Sequence, residues 1–126
     1  MRGDTKQLGD AGETAARQFL VERGYDILAT NYLCREGEID IICFHSGTIV
    51  FVEVKTRSSD DDALPEENIT PRKRRQMENA ARSWLNSRKE PDCAYRFDAL
   101  SIVISPRGQT RVRQIEEAFL PSRALC

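Results

Sequence analysis

Asp40, Glu53 and Lys55 are the residues of this chain whose types and spacing can do chemistry together. Two apolar runs, Ile39 to Phe44 and Ile49 to Val54, flank His45-Ser46-Gly47-Thr48, which predicts a β-hairpin with Ser46 and Gly47 at its tip. With His45 facing Thr48, the register sets Asp40 opposite Glu53 and Glu38 opposite Lys55. Side chains so opposed lie about 5 Å apart at Cβ, where like charges repel. A bound divalent cation would remove that repulsion. Carboxylates are hard oxygen donors suited to Mg2+ or Mn2+, and the backbone carbonyl of Val54 could add a further ligand. Lys55, on the same face as Glu53, could orient or deprotonate an attacking water, or stabilise charge developing on phosphorus. The reading depends on register, because a slip of one residue turns Glu53 away from Asp40.

The alternation along the second strand agrees with a site at one end. Val50, Val52, Val54 and Thr56 form one face, and Ile49, Phe51, Glu53, Lys55 and Arg57 the other. The second face is apolar at one end and charged at the other, so it is expected to be half covered and half open to a cleft. The competing explanation is a set of cross-strand ion pairs, Glu38 with Lys55 and Asp40 with Arg57 or Arg35. It accounts for Lys55 but leaves Asp40 facing Glu53 without a reason.

These residues need elements to hold them. A first helix is expected from about Asp10 to Arg23, stopped by Gly24, with Ala15, Ala16, Phe19 and Leu20 as its buried stripe. Glu13 shares the edge of that stripe, where a carboxylate either snorkels to water or serves a site, for example as a ligand to a second metal or to its water. Tyr25 to Cys34 reads as a strand with Asn31 a bulge or edge position. Glu38 to Phe44 and Ile49 to Arg57 complete a meander. Ser58 to Asn68 has no periodicity and reads as an exposed, mobile loop.

Thr70-Pro71 then starts a second helix, as N-cap and first helical residue, with Met77, Ala80, Ala81, Trp84 and Leu85 as its apolar stripe. Arg72, Lys73, Arg74 and Arg75 stand in its first turn, against the helix dipole. A role in holding nucleic-acid phosphates explains that placement, and an ordinary solvated face is the alternative. Tyr95 to Ser105 is a fourth strand, and Thr110 to Phe119 a short fifth strand or irregular return. The order predicts an α/β sandwich with a mixed central sheet. Residues 1–9 and 120–126 read as flexible tails of a single domain.

Composition narrows the class. At 126 residues with 31% charged and 40% hydrophobic residues, the chain fits one soluble domain. No apolar run approaches the ~20 residues of a membrane span, and Met1 to Gly9 lacks an apolar signal segment, so a cytoplasmic location is expected. Cys34, Cys43, Cys93 and Cys126 lack zinc-ligand spacing, and Cys34 and Cys43 read as small buried hydrophobes. His45, the only histidine, reads as a turn residue. The net charge of −1 conceals two blocks. Asp60 to Glu67 holds five acids and no base, whereas Pro71 to Lys89 holds seven bases and one acid. The second block is a possible phosphate footprint.

Asp40 followed, after a hairpin, by Glu53-Val54-Lys55 resembles the signature of the PD-(D/E)XK, or restriction-endonuclease-like, superfamily. More narrowly, the chain resembles the YraN family of small bacterial proteins. The resemblance rests on Gly9-Asp10-Ala11-Gly12-Glu13-Thr14-Ala15-Ala16, Gly24-Tyr25-Asp26-Ile27-Leu28, Asn31-Tyr32, Gly37-Glu38-Ile39-Asp40-Ile41-Ile42, Phe51-Val52-Glu53-Val54-Lys55-Thr56-Arg57, Lys73-Arg74-Arg75 and Arg96-Phe97-Asp98. It implies a restriction-endonuclease-like αβββαβ sandwich, with Asp40 and Glu53 as metal ligands, Lys55 as catalytic lysine and Glu13 as a helix-borne acid. The loop from Ser58 to Asn68 departs from the family in lacking glycine, and its acidity should repel DNA.

Two functions follow as expectations. The first is a Mg2+- or Mn2+-dependent nuclease acting on DNA, including branched or damaged DNA. The second is a non-catalytic nucleic-acid-binding or partner-binding module that keeps the nuclease fold. A domain this small would need a homodimer to cut both strands of a duplex symmetrically.

Overall fold

The apolar stripes and turn residues lay the chain out as α1 (Arg2–Glu22), β1 (Asp26–Cys34), β2 (Gly37–His45), β3 (Thr48–Arg57), α2 (Pro71–Arg88), β4 (Ala94–Ile104) and β5 (Thr110–Phe119). This is a computed structural model, and it describes residues 2–58, 69–88 and 94–125. The acidic segment expected as a loop falls, from residue 59 to residue 68, outside the described residues. The strands form one sheet in the order β1-β2-β3-β4-β5. Every neighbouring pair is antiparallel except β3 and β4, which run parallel over ten residue pairs. A parallel step needs a crossover, and α2 supplies it.

The helices cover opposite faces. Ala16 and Leu20 of α1 pack on Ile41, Cys43, Val50, Val52, Leu100 and Ile102. Met77, Ala80, Ala81, Trp84 and Leu85 of α2 pack on Ile39, Ile42, Phe51, Phe97 and Ala99. Both faces of β3 are therefore buried at its apolar end. The result is a mixed α/β sandwich compatible with the restriction-endonuclease-like arrangement.

Local signals account for most boundaries. At the end of α1, Gly24 has φ +85°, its N–H donates to the Val21 carbonyl at 3.0 Å, and the Tyr25 N–H donates to the Leu20 carbonyl at 3.0 Å. This pair of bonds is the Schellman closure that glycine permits. At the start of α2, Thr70 Oγ1 accepts the Lys73 N–H at 3.1 Å, the N-cap bond expected there.

The start of α1 differs from expectation. The helix begins at Arg2 rather than Asp10, so most of the segment read as an N-terminal tail is its first turns. Gly12, inside the expected helix, is a contact residue. A Cβ built there would lie 1.9 Å from Thr56 Oγ1 and 2.8 Å from Thr56 Cβ. The glycine lowers helix propensity by about 1 kcal/mol relative to alanine. In return α1 approaches β3 closely at that level. The C-terminal segment is likewise held in place. Ser122 donates its N–H and Oγ–H to the two carboxylate oxygens of buried Glu78, both at 2.8 Å. Leu125 is buried, and its N–H donates to Tyr95 Oη at 3.0 Å.

The sheet is irregular at β4 and β5, where pairing shifts between Phe97 and Ala99. The fully buried Asp98 fills it. Its carboxylate accepts from Arg96 Nε at 3.0 Å, Gln114 Nε2 at 2.9 Å and the Glu117 N–H at 3.1 Å, with Glu117 at φ +50°. Arg96 and Gln114 also donate to Tyr25 Oη, and Tyr25 stacks on His45 with centroids 4.1 Å apart. His45 is thus a packed turn residue.

Gly12→Ala should destabilise the protein by roughly 1–3 kcal/mol in urea unfolding despite the better helix former, because the added methyl overpacks the α1–β3 contact. Adding Thr56→Ala removes two of the three contacting atoms and should restore part of the loss. A Gly12→Ala protein as stable as the parent would mean that the approach is not constraining.

Candidate active site

The hairpin register holds as expected from Ile41–Val52 to His45–Thr48, and there the β2–β3 ladder stops. Asp40 and Glu53, the next residues, are not a ladder pair. The strands separate at this point, and the Asp40 side chain closes the gap by accepting the Val54 N–H on Oδ2 at 2.7 Å. In an extended strand the N–H and C=O of one residue point to the same edge. The Val54 carbonyl is therefore turned toward the same opening as Asp40.

The irregularity continues into β1. Ile39 and Ile42 both pack on the α2 side although they are an odd number of residues apart, which a period of two does not allow. Their β1 partners, Tyr32 and Ala29, show the same slip, and Asn31 between them has φ +50°. β1 is an edge strand, as expected for Asn31, but the register shift in its pairing with β2 falls between Ile27 and Ala29 and not at Asn31. The phase of the sheet changes at the level of Asp40, where the carboxylate leaves the regular pleat.

Glu13, Asp40 and Val54 line one cavity of about 230 Å³, together with Leu8, Gly9 and Thr56. The close approach at Gly12 is what brings Glu13 there from α1. Glu53 reaches the opening from the α2 face of β3, where its Oε2 lies 3.4 Å from Lys73 Nζ. Lys55 is exposed beyond it. Among the described residues Lys55 makes no ion pair with Glu38, so that competing explanation fails for this pair.

The electrostatics set Glu53 apart. Burial raises it first and the neighbouring Asp40 charge second, to about 7, while Lys73 acts in the opposite direction. Asp40 is raised as well, chiefly by burial, against the lowering effect of the Val54 hydrogen bond and the Lys73 charge. Glu53 Oε2 is buried and, among the described residues, has only the Lys73 ammonium at 3.4 Å, with no well-aligned hydrogen bond. The buried carboxylates of Asp98 and Glu78, by contrast, have donors on both oxygens. Native proteins rarely leave such an atom unsatisfied.

The basic turn of α2 divides. Arg72 and Arg75 are exposed, as a phosphate-binding role requires. Lys73 instead serves Glu53, and Arg74 donates Nε–H to the Ile69 carbonyl at 3.0 Å and lies over the Phe119 ring. Lys73 was expected with its three neighbours to hold nucleic-acid phosphates, and its contact with Glu53 was not legible in a run of four bases. Its one signal is that this basic turn immediately follows the strand that carries Glu53.

Among the described residues no three His, Cys, Asp or Glu side chains gather as a ready metal cluster. The donors on offer are two carboxylates and a carbonyl, with Glu13 across the cavity. That set suits Mg2+, which keeps several waters and takes one or two carboxylates. Cys43 is buried and its thiol is pushed up to about 12, mainly by burial, so it is no nucleophile. No helix among the described residues is long and apolar enough to cross a membrane.

Comparison with known proteins gives a consistent kinship. The sequence pattern described as "Uncharacterised protein family UPF0102" matches residues 12–102. A UPF0102 protein of Geotalea daltonii is 41% identical over 118 residues, covering 94% of this chain and 93% of its own. One from Caldicellulosiruptor saccharolyticus is 39% identical over 115 residues, covering 90% and 98%. One from Geobacter metallireducens is 44% identical over 115 residues, covering 90% and 93%.

The Glu53 shift makes stability depend on pH with a definite sign. As pH rises above 4.5 the unfolded chain releases this proton, while the folded protein keeps it until about 7. Stability is therefore lost across that window and stays reduced above it. In metal-free buffer the melting temperature should fall between about pH 5 and pH 7, and Glu53→Gln should flatten that fall. An identical profile for the two proteins would show that Glu53 titrates normally.

Proposed function

Because this chain belongs to the uncharacterised protein family UPF0102, its activity has to be read from its own residues, and we propose that it is a metal-dependent nuclease that hydrolyses phosphodiester bonds of DNA. The observation that carries this reading is the buried Glu53 Oε2, which has no hydrogen bond among the described residues, beside a second, half-buried carboxylate. In a protein that satisfies Asp98 and Glu78 in full, a buried acid oxygen left without a hydrogen bond beside a second carboxylate has no evident structural use. The pair fits a divalent cation that folding alone does not supply.

In this reading Asp40, Glu53 and the Val54 carbonyl would hold Mg2+ or Mn2+, with Glu13 the ligand from the helix side of the cavity. When bound, the ion would polarise the phosphoryl group and favour ionisation of water. The remaining work falls to the chain. Asp40 is kept in place by the Val54 N–H, so its carboxylate is oriented before substrate arrives. Lys55, exposed at the mouth, would orient or deprotonate the attacking water or stabilise charge on phosphorus. Arg72 and Arg75 would contact the phosphates of the flanking strand. One observation favours a second reading. The Lys73–Glu53 ion pair also suits a nucleic-acid-binding module in which lysine has replaced the ion.

Titration calorimetry with Mn2+ separates the two. Binding is expected, and Asp40→Ala and Glu53→Ala should each abolish it. A parent protein that binds no Mn2+, or variants that bind like the parent, would sink the metal site.

Lys55→Met should leave Mn2+ binding intact and lower cleavage by about 100-fold or more, as removal of a catalytic group does. The substrates are linear, nicked, flapped and four-way DNA with Mg2+ or Mn2+, beside an Asp40→Ala control. Cleavage equal in parent and Asp40→Ala would trace it to a contaminant.

A further inference from the structure

The solvent face of α2 changes character along its length. Its first turn is cationic, but beyond it Asn79, Arg82, Ser83 and Asn86 follow one another at helical spacing on one side. With Glu36 of the β1–β2 turn these four line a groove of about 340 Å³. From Lys73, beside the acid pair, to Arg82 is 9 residues of helix, a rise of ~14 Å along the axis, and the groove residues continue the side of the helix that carries Arg72 and Arg75.

Its walls are fixed. Ser83 Oγ is hydrogen-bonded to Tyr32 Oη at 2.9 Å, which ties α2 to β1. Arg82 donates an Nη1–H to Asn79 Oδ1 at 3.1 Å. Close by, a Cβ at Gly37 would meet Gln76 Cβ at 3.0 Å, so glycine lets the start of β2 press against α2. The lining chemistry is that of base recognition more than of phosphate capture. Two amides, a hydroxyl and a carboxylate offer both donors and acceptors, as base edges require. A phosphate track would be uniformly cationic and would not carry Glu36 at its rim.

The shape gives the second constraint. A concave groove admits a protruding group, and the bases of an intact duplex are stacked inside it. We propose that this groove holds the unpaired bases of a single-stranded segment adjoining the cleavage site, so that the favoured substrate is DNA with a single-stranded portion. The inference rests on the nuclease reading for its substrate class. Arg72 and Arg75 grip the backbone of any DNA, and the groove distinguishes single strands from duplex.

The test is fluorescence anisotropy on the full chain in metal-free buffer, where no cleavage intervenes. The probes are a labelled 20-nucleotide single strand, the blunt duplex of the same sequence, and that duplex with a single-stranded tail. The parent should bind the single strand and the tailed duplex more tightly than the blunt duplex. Arg82→Ala with Asn86→Ala should weaken the first two by about 10-fold and leave the blunt duplex within 2-fold. Arg72→Glu with Arg75→Glu should weaken all three. These side chains are outside the core, so both variants are expected to melt like the parent. The milder Asn86→Asp, with the same preferential loss on the single strand, covers a groove variant that does not.

A groove variant that binds like the parent, or that weakens all probes equally, overturns the inference and leaves the nuclease reading standing. A parent protein that binds none of the probes, and cuts none with Mn2+, overturns both.

Discussion

Everything at the candidate site depends on the β2–β3 ladder ending at Ile41–Val52. Had it continued, the Val54 N–H and carbonyl would be spent on β2 and Asp40 would be one more pleated side chain. Because it stops, one carboxylate oxygen substitutes for a backbone acceptor, which satisfies the Val54 donor and fixes Asp40 at once. The same exchange occurs at Asp98, whose carboxylate takes the Glu117 N–H where β4 and β5 slip. The outcomes differ because Asp98 is fully enclosed by donors, whereas Asp40 stands at the mouth of a cavity. One break in the sheet strengthens the fold, and the other leaves room for chemistry.

The energetics of the opening are unfavourable in isolation. Burial raises Asp40 and Glu53 together, and Lys73 only partly offsets their repulsion. A pair of this kind contributes little to stability, and breaking an ion pair at a buried acid leaves an uncompensated charge. The surrounding cores, with α1 on one face and α2 on the other, must hold the acids where they are. Local cost sustained by global packing is the usual arrangement of a working site.

Much of this was legible in the sequence, for identifiable reasons. The hairpin register followed from turn chemistry and alternation, and it holds over five pairs. The start of α2 followed from Thr70-Pro71, and the end of α1 from Gly24. The beginning of α1 was not legible, because the polar residues up to Gly9 carry no apolar stripe to mark them as helix. Nor was the role of Lys73, which depends on how far α2 leans over β3. The acidic pair was visible as a repulsion, but the hydrogen bond that separates its two members exists only after the strands part. The C-terminal residues looked like a tail because Ser122 and Leu125 anchor to partners distant in sequence.

That C-terminal anchor bears on how α2 is held as a body. A cylinder resting on a sheet can slide, pivot or roll about its own axis. The contact of Lys73 with Glu53 stops it from sliding, and the bond from Ser83 to Tyr32, farther along, stops it from pivoting. Rolling is left to Glu78, whose two carboxylate oxygens are gripped by Ser122. The apolar stripe of α2 sets which side faces outward, and Ser122 secures that setting through Glu78. Shortening the chain before Ser122 would strip a buried carboxylate of both donors and loosen the seat of the helix that carries Lys73 and the polar groove.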